Sequence, residues 1–157
     1  IRLDQDAGLI QFVNLFGNVW HDVNALDDNL VNNSGALTSP PAVSIPNGLR
    51  VYPVNTTTGL IERVGFVNAS NGTYSFLNIM PNTNYAVYLS QQVASVGSVP
   101  PPVTLPDGWN HTGQKLGISP GSDGIPGDGK LIVPVFSTDV HNANFGIRLK
   151  TGEVVIG

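Results

Sequence analysis

Apolar and polar positions alternate along this chain with a period of two, in short runs cut by Gly, Pro and Asn. That period predicts half-buried strands rather than helices. Gly17–Asp22 alternates Val19 and His21 with Asn18, Trp20 and Asp22, so one of the two sets faces a core. Leu49–Val54 is a second strand, with Pro53 placing it at an edge or a bulge. Asn55–Gly59 is a turn, and Leu60–Val67 returns as a strand. Asn71-Gly72 is a hairpin signal because both residue types tolerate positive φ. It leads into Thr73-Tyr-Ser-Phe-Leu77, where Tyr74 and Phe76 share one face and Ser75 and Leu77 the other. Tyr85–Ser90 follows the turn at Met80–Asn84 and is the cleanest strand of all. Gln91–Asp107, with Pro100-Pro-Pro102 and Pro106, is a stiff surface excursion. Leu131–Phe136 and Ala143–Leu149 complete the core strands. The apolar run Leu9–Phe16 reads as an edge strand, or alternatively as one turn of helix. With seven or eight strands and no credible helix, the fold class is all-β, an antiparallel-rich β-sandwich. Its domain spans 16–149, preceded by a linker or edge strand over 1–15 and followed by an exit strand or linker over 150–157.

Composition narrows the class. Among 157 residues, 18 are Gly and 12 are Pro, which demands many turns. Only 11% are charged, against roughly 25% in an average globular protein, so Asn, Ser and Thr must cover the surface. The net charge of −4 and the scattered cations speak against nucleic-acid binding, which needs a basic stripe. No run approaches the roughly 20 apolar residues of a membrane helix, so no insertion is expected. Cysteine is absent, which leaves the compartment open, while the Asn/Thr/Gly-rich, Lys-poor make-up leans extracellular or cell-surface.

The first strand runs directly into a loop of oxygen donors. Asp22, Asn24 and Asp28 take positions one, three and seven, with Leu26 at five. This spacing matches the first half of a calcium loop, in which oxygens converge on the ion at about 2.3–2.6 Å. The second half departs from an EF-hand, since Asp27 replaces the Gly of position six and Asn33 the Glu of position twelve. The other reading is an Asx-rich turn that caps its own backbone. A second acidic, Gly-rich loop, Gly121–Gly129, carries Asp123 and Asp128.

Several segments occur in one order: Gly17-Asn-Val-Trp-His-Asp-Val-Asn24, Asn71-Gly-Thr-Tyr-Ser-Phe76 through Tyr85, Gly108-Trp-Asn-His-Thr-Gly113, Ser122-Asp123 and Asn142-Ala-Asn-Phe-Gly-Ile147. Together they resemble the SdrD B-like domains of bacterial surface adhesins, which belong with the Cna B-type, prealbumin-like sandwiches. The resemblance implies a non-enzymatic repeat module, a stalk or spacer in a secreted or cell-surface adhesin, rigidified by calcium. It further implies Asp22, Asn24, the Leu26 carbonyl and Asp28 as ligands. It implies parallel first and last strands, so that Asp123 and Asp128 could complete the shell. Its partners would be neighbouring domains of the same long protein, and a glycan or protein ligand. Some relatives carry a Lys–Asn isopeptide crosslink; here Asn18 stands where the Lys would be wanted.

Other motifs fail on their chemistry. Gly117-Ile-Ser-Pro-Gly121 fits G-x-S-x-G, with Asp139 and His141 following in hydrolase order, but Pro120 forbids the helix a nucleophile elbow requires. Gly124–Lys130 fits a phosphate loop, yet Leu131 replaces the magnesium-binding hydroxyl and Asp128 would repel phosphate. His21, His111 and His141 lack metal-site spacing. No catalytic residue is assigned. The rival reading is a carbohydrate-binding module attached to a secreted enzyme, with Trp20 and Trp109 stacking on sugar. Asn32, Asn55, Asn68, Asn71 and Asn110 head N-x-Ser/Thr sequons. The chain opens Ile1-Arg-Leu3 and its last core strand ends Ile147-Arg-Leu149, a repeat that reads first as chance and alternatively as the tail of a preceding module; in the second case Val154-Val-Ile156 would pack on a neighbour or a sheet edge.

Overall fold

A computed structural model describes residues 10–21, 45–117, 123–125 and 127–149. These form eight strands and no helix: β1 (Val13–His21), β2 (Arg50–Asn55), β3 (Gly65–Phe66), β4 (Thr73–Ile79), β5 (Thr83–Ser90), β6 (Trp109–Leu116), β7 (Lys130–Val135) and β8 (Val140–Leu149). Two four-stranded sheets, ordered β4-β1-β8-β6 and β3-β2-β5-β7, pack face to face, so the all-β sandwich is the fold. Every strand pair is antiparallel except β1 and β8, which run parallel at the centre of the first sheet.

The period of two sets the core. In β1, Val13, Leu15, Val19 and His21 face inward, and Asn14, Phe16, Asn18 and Trp20 face out. Leu131, Val133 and Val135 of β7 meet Tyr85, Val87 and Leu89 of β5 on the opposing inner face. Phe145 and Ile147 of β8 are fully enclosed between the sheets. Removing this much apolar surface from water is the main force holding the sheets together.

Gly17 sits inward in β1 between Tyr74 of β4 and Ala143 of β8. The Tyr74 ring lies over it, and the phenol donates to the Ala143 carbonyl at 2.6 Å, tying the edge strand to the sheet's second interior strand. A glycine inside a strand marks such a close backbone approach.

The structure corrects several expectations. The run before residue 16 is neither linker nor edge strand in its second half: β1 begins at Val13 and lies between β4 and β8. Leu60–Val67 does not form one strand. Gly65–Phe66 pairs with β2 as β3, and Ile61 makes an isolated antiparallel bridge to Val54, its side chain packing with Tyr52 and Val54 apart from the main core. Asn71-Gly72 does turn the chain, with Gly72 at φ 77°, but it joins strands of different sheets rather than a hairpin pair. Finally, Trp109–Leu116, unassigned by pattern, is the strand β6. Pro53 marks neither an edge strand nor a bulge: β2 lies between β3 and β5, pairs with β5 in unbroken register, and is bridged by Ile61 at the next residue, Val54. On the side facing residues 60–62 it contributes only its carbonyl, which accepts from Glu62 N at 2.9 Å.

Candidate functional site

Asp22, Asn24, Leu26 and Asp28 lie outside the described residues, as do 1–9 and 150–157. The strand that leads into the acidic loop is described to His21. Its ring packs against Trp109 of β6 at 5.1 Å between centroids, reaching past the intervening β8. β1 and β6 are two strand spacings apart, about 10 Å.

Asp123 and Asp128 converge on one buried side chain, Gln114 of β6. Gln114 Nε2 donates to Asp123 Oδ1 (2.9 Å) and to the Ile125 carbonyl (3.1 Å). Its Oε1 accepts from Asp128 N at 3.2 Å. Each aspartate also closes its own Asx turn, Asp123 Oδ1 accepting from Ile125 N and Asp128 Oδ1 from Lys130 N. Among the described residues, neither Oδ2 meets a hydrogen-bond donor. Carboxylate oxygens are the donors a hard cation takes. Among the described residues no three His, Asp or Glu side chains form a metal-holding group.

Gly127 lies so close over β6 that a Cβ there would stand 2.7 Å from the His111 carbonyl. The loop is thus pressed onto the strand. Beneath it His111 is half-buried, with Nε2 2.7 Å from the Val103 carbonyl and Nδ1 enclosed without a partner among the described residues. Burial lowers its pKa, against the opposing pull of the Val103 hydrogen bond and the Asp128 charge.

The other sequence candidates separate in space. Asp139 does not serve His141; its carboxylate accepts from Asn14 N (2.9 Å) and Asn14 Nδ2 (3.4 Å). Ser119 lies outside the described residues. Lys130 opens β7, not a helix, and its ammonium sits 5.3 Å over the Tyr88 ring. Asn18 is paired across strands with Asn144, Nδ2 donating to Oδ1 at 2.9 Å. Two carboxamides hydrogen-bond but supply no amine nucleophile for an isopeptide. Trp109 packs against the core, and the Trp20 indole nitrogen is enclosed without a partner among the described residues. Asn55 is held by Glu62 at 2.7 Å, whereas Asn68, Asn71 and Asn110 are exposed.

Sequence reasoning missed Gln114 and the aromatic pair of Phe16 and His141, whose rings stack at 5.1 Å. No local pattern marks either, because each depends on pairings between distant strands.

Comparison with protein-family models and with curated proteins returned no match.

Proposed function

We propose that this chain is a non-enzymatic spacer module of the SdrD B-like, Cna B-type kind, working in series within a secreted or cell-surface protein and stiffened by calcium. One observation carries the reading: β1 and β8 are adjacent and parallel, from Leu15 opposite Val140 to His21 opposite Ile147. The chain therefore enters the first sheet at one end of the sandwich, at Val13, and leaves it at the other, at Leu149. Nine residues of β1 span about 30 Å at strand rise. Tension between those ends shears β1 along β8 and loads their backbone hydrogen bonds together. A pair joined at one end would be unzipped bond by bond instead.

Calcium belongs to the same reading. Asp22, Asn24, the Leu26 carbonyl and Asp28 follow β1 directly, and Asp123 and Asp128, between β6 and β7, hydrogen-bond to Gln114 of β6 in the same sheet. A cation binding these oxygens only in the folded state raises stability by mass action, by about 2.7 kcal/mol at a hundred times its Kd. The low charge and Asn-rich surface fit an extracellular setting.

Melting curves in excess calcium and in EDTA test the metal directly. The curve should fall to lower temperature on chelation, and Asp22→Ala should behave as the chelated protein does. Superimposable curves would remove calcium from the account. Small-angle scattering on two copies in tandem tests the stiffening: a maximum dimension unchanged by EDTA, with a freely jointed profile, would defeat it.

A further inference from the structure

The outer face of the first sheet holds a cleft of about 690 Å³ that a spacer does not need. That volume lies within the range of small-molecule sites, roughly 300–1,000 Å³. Phe16 and Asn18 of β1, Thr73 and Ser75 of β4, and His141 and Asn142 of β8 line it.

A local irregularity builds the cleft. Between Leu15 and Gly17 of β1, the partner strand runs from Val140 to Ala143, so β8 carries one extra residue. This bulge sets both His141 and Asn142 against Phe16. Bulges re-aim side chains and gather beside functional sites. Asn142 takes a left-handed backbone, φ 64°, a conformation costly for a residue with a side chain. The bulge also brings His141 onto Phe16, ring centroids 5.1 Å apart and planes at 17°. The core lies on the other face of the sheet, so this exposed stack adds nothing to it.

The chemistry of the walls selects the ligand. Among the described residues, no Asp, Glu, Lys or Arg lines the cleft. Phosphate and carboxylate ligands would find no Lys or Arg on its walls, only the His141 imidazole. Amides and hydroxyls stand beside the aromatic pair. Among the described residues, the side chains of Ser75 and Asn142 make no hydrogen bond. An extended peptide adding to the edge strand β4 meets an obstacle, because Asn68 N already donates to the Thr73 carbonyl at 2.9 Å. What remains is a neutral molecule with an apolar C–H face and a rim of hydroxyls.

We propose that this cleft binds a short neutral oligosaccharide. The Phe16–His141 pair is the stacking platform, and Asn18, Ser75 and Asn142 bond the hydroxyls. The assignment moves sugar recognition away from Trp20 and Trp109, and it stands whether or not the module is a spacer.

Amide NMR of the whole chain, titrated in turn with cellobiose, maltose, lactose and diacetylchitobiose, tests it. At least one sugar should give saturable shifts confined to 16–18, 73–75 and 141–142. His141→Ala should weaken that binding at least about tenfold, equivalent to about 1.4 kcal/mol. Asn142→Gly keeps the left-handed backbone at no strain and removes only the amide, so it should weaken binding while leaving the fold intact. No saturable binding by any of the four, shifts centred on Trp109, or unchanged affinity in both variants would overturn the proposal.

Discussion

Gly17→Ala probes the crossing at the centre of the first sheet. A Cβ at this position overlaps the Ala143 carbonyl oxygen and the Cζ and hydroxyl of Tyr74. The carbonyl belongs to backbone inside a paired strand and cannot step aside cheaply. The Tyr74 ring is enclosed too, which also drives its phenol pKa far up. Overpacking of this kind costs about 1–3 kcal/mol. Displacing the ring also breaks the Tyr74–Ala143 hydrogen bond, worth about 0.5–1.5 kcal/mol net. Together the loss comes to about 2–4 kcal/mol, a large part of the roughly 5–15 kcal/mol that holds a domain folded. Urea unfolding reads it as a lower midpoint at unchanged slope. Tyr74→Leu in the same background removes the ring overlap but not the carbonyl overlap. The double variant should therefore cost less than the sum of the singles, by about 0.5–3 kcal/mol. A Gly17→Ala loss below about 1 kcal/mol, or strict additivity, would refute the packing described here.

Tyr85 gives a prediction in pH. Its hydroxyl donates to Glu62 Oε1 at 2.9 Å, and burial first, then Glu62, raises its pKa to about 12. The unfolded chain loses that proton near pH 10, so the stability it contributes is present below pH 10 and disappears as pH rises toward 12. Tyrosinate absorbance in the folded protein should show Tyr85 ionising late, and Glu62→Gln should bring it earlier; ionisation near pH 10 in the parent would contradict the contact. Gln114→Ala removes three hydrogen bonds that fix Asp123, Ile125 and Asp128, costing about 2–4 kcal/mol. The same variant should shrink the difference between melting in calcium and in EDTA, and an undiminished difference would separate Asp123 and Asp128 from the metal.

What could be read from the sequence was whatever alternation in a single segment encodes. Tyr85–Ser90 and Leu131–Val135 bury every second residue against an apolar core, so their pattern is visible without partners. β6 hid because its buried positions include Thr112 and Gln114, which satisfy their polar groups by hydrogen bonding rather than by being apolar. Leu60–Val67 misled for the opposite reason. It is apolar enough for a strand, yet it meets β2 in two separate pieces, Ile61 at Val54 and Gly65–Phe66 at Arg50–Val51, with Ile61 packing on Tyr52 and Val54. The acidic loops announced themselves by composition, but the glutamine joining Asp123 to Asp128 could be found only once β6 and its following loop were placed. Phe16 and His141 are brought together by parallel register and a bulge, neither of which leaves a local trace.

The spacer reading stands or falls on how the fold resists tension. Single-molecule pulling can load the same protein in two directions. Handles at the two chain ends shear β1 along β8, whereas handles at Asp107 and Leu149 peel β6 from β8, because Trp109 pairs with Leu149 at the same end. The account predicts one cooperative unfolding event at markedly higher force for the chain-end geometry, higher again in calcium than in EDTA. Equal forces in the two directions, or a lower force through the chain ends, would contradict it.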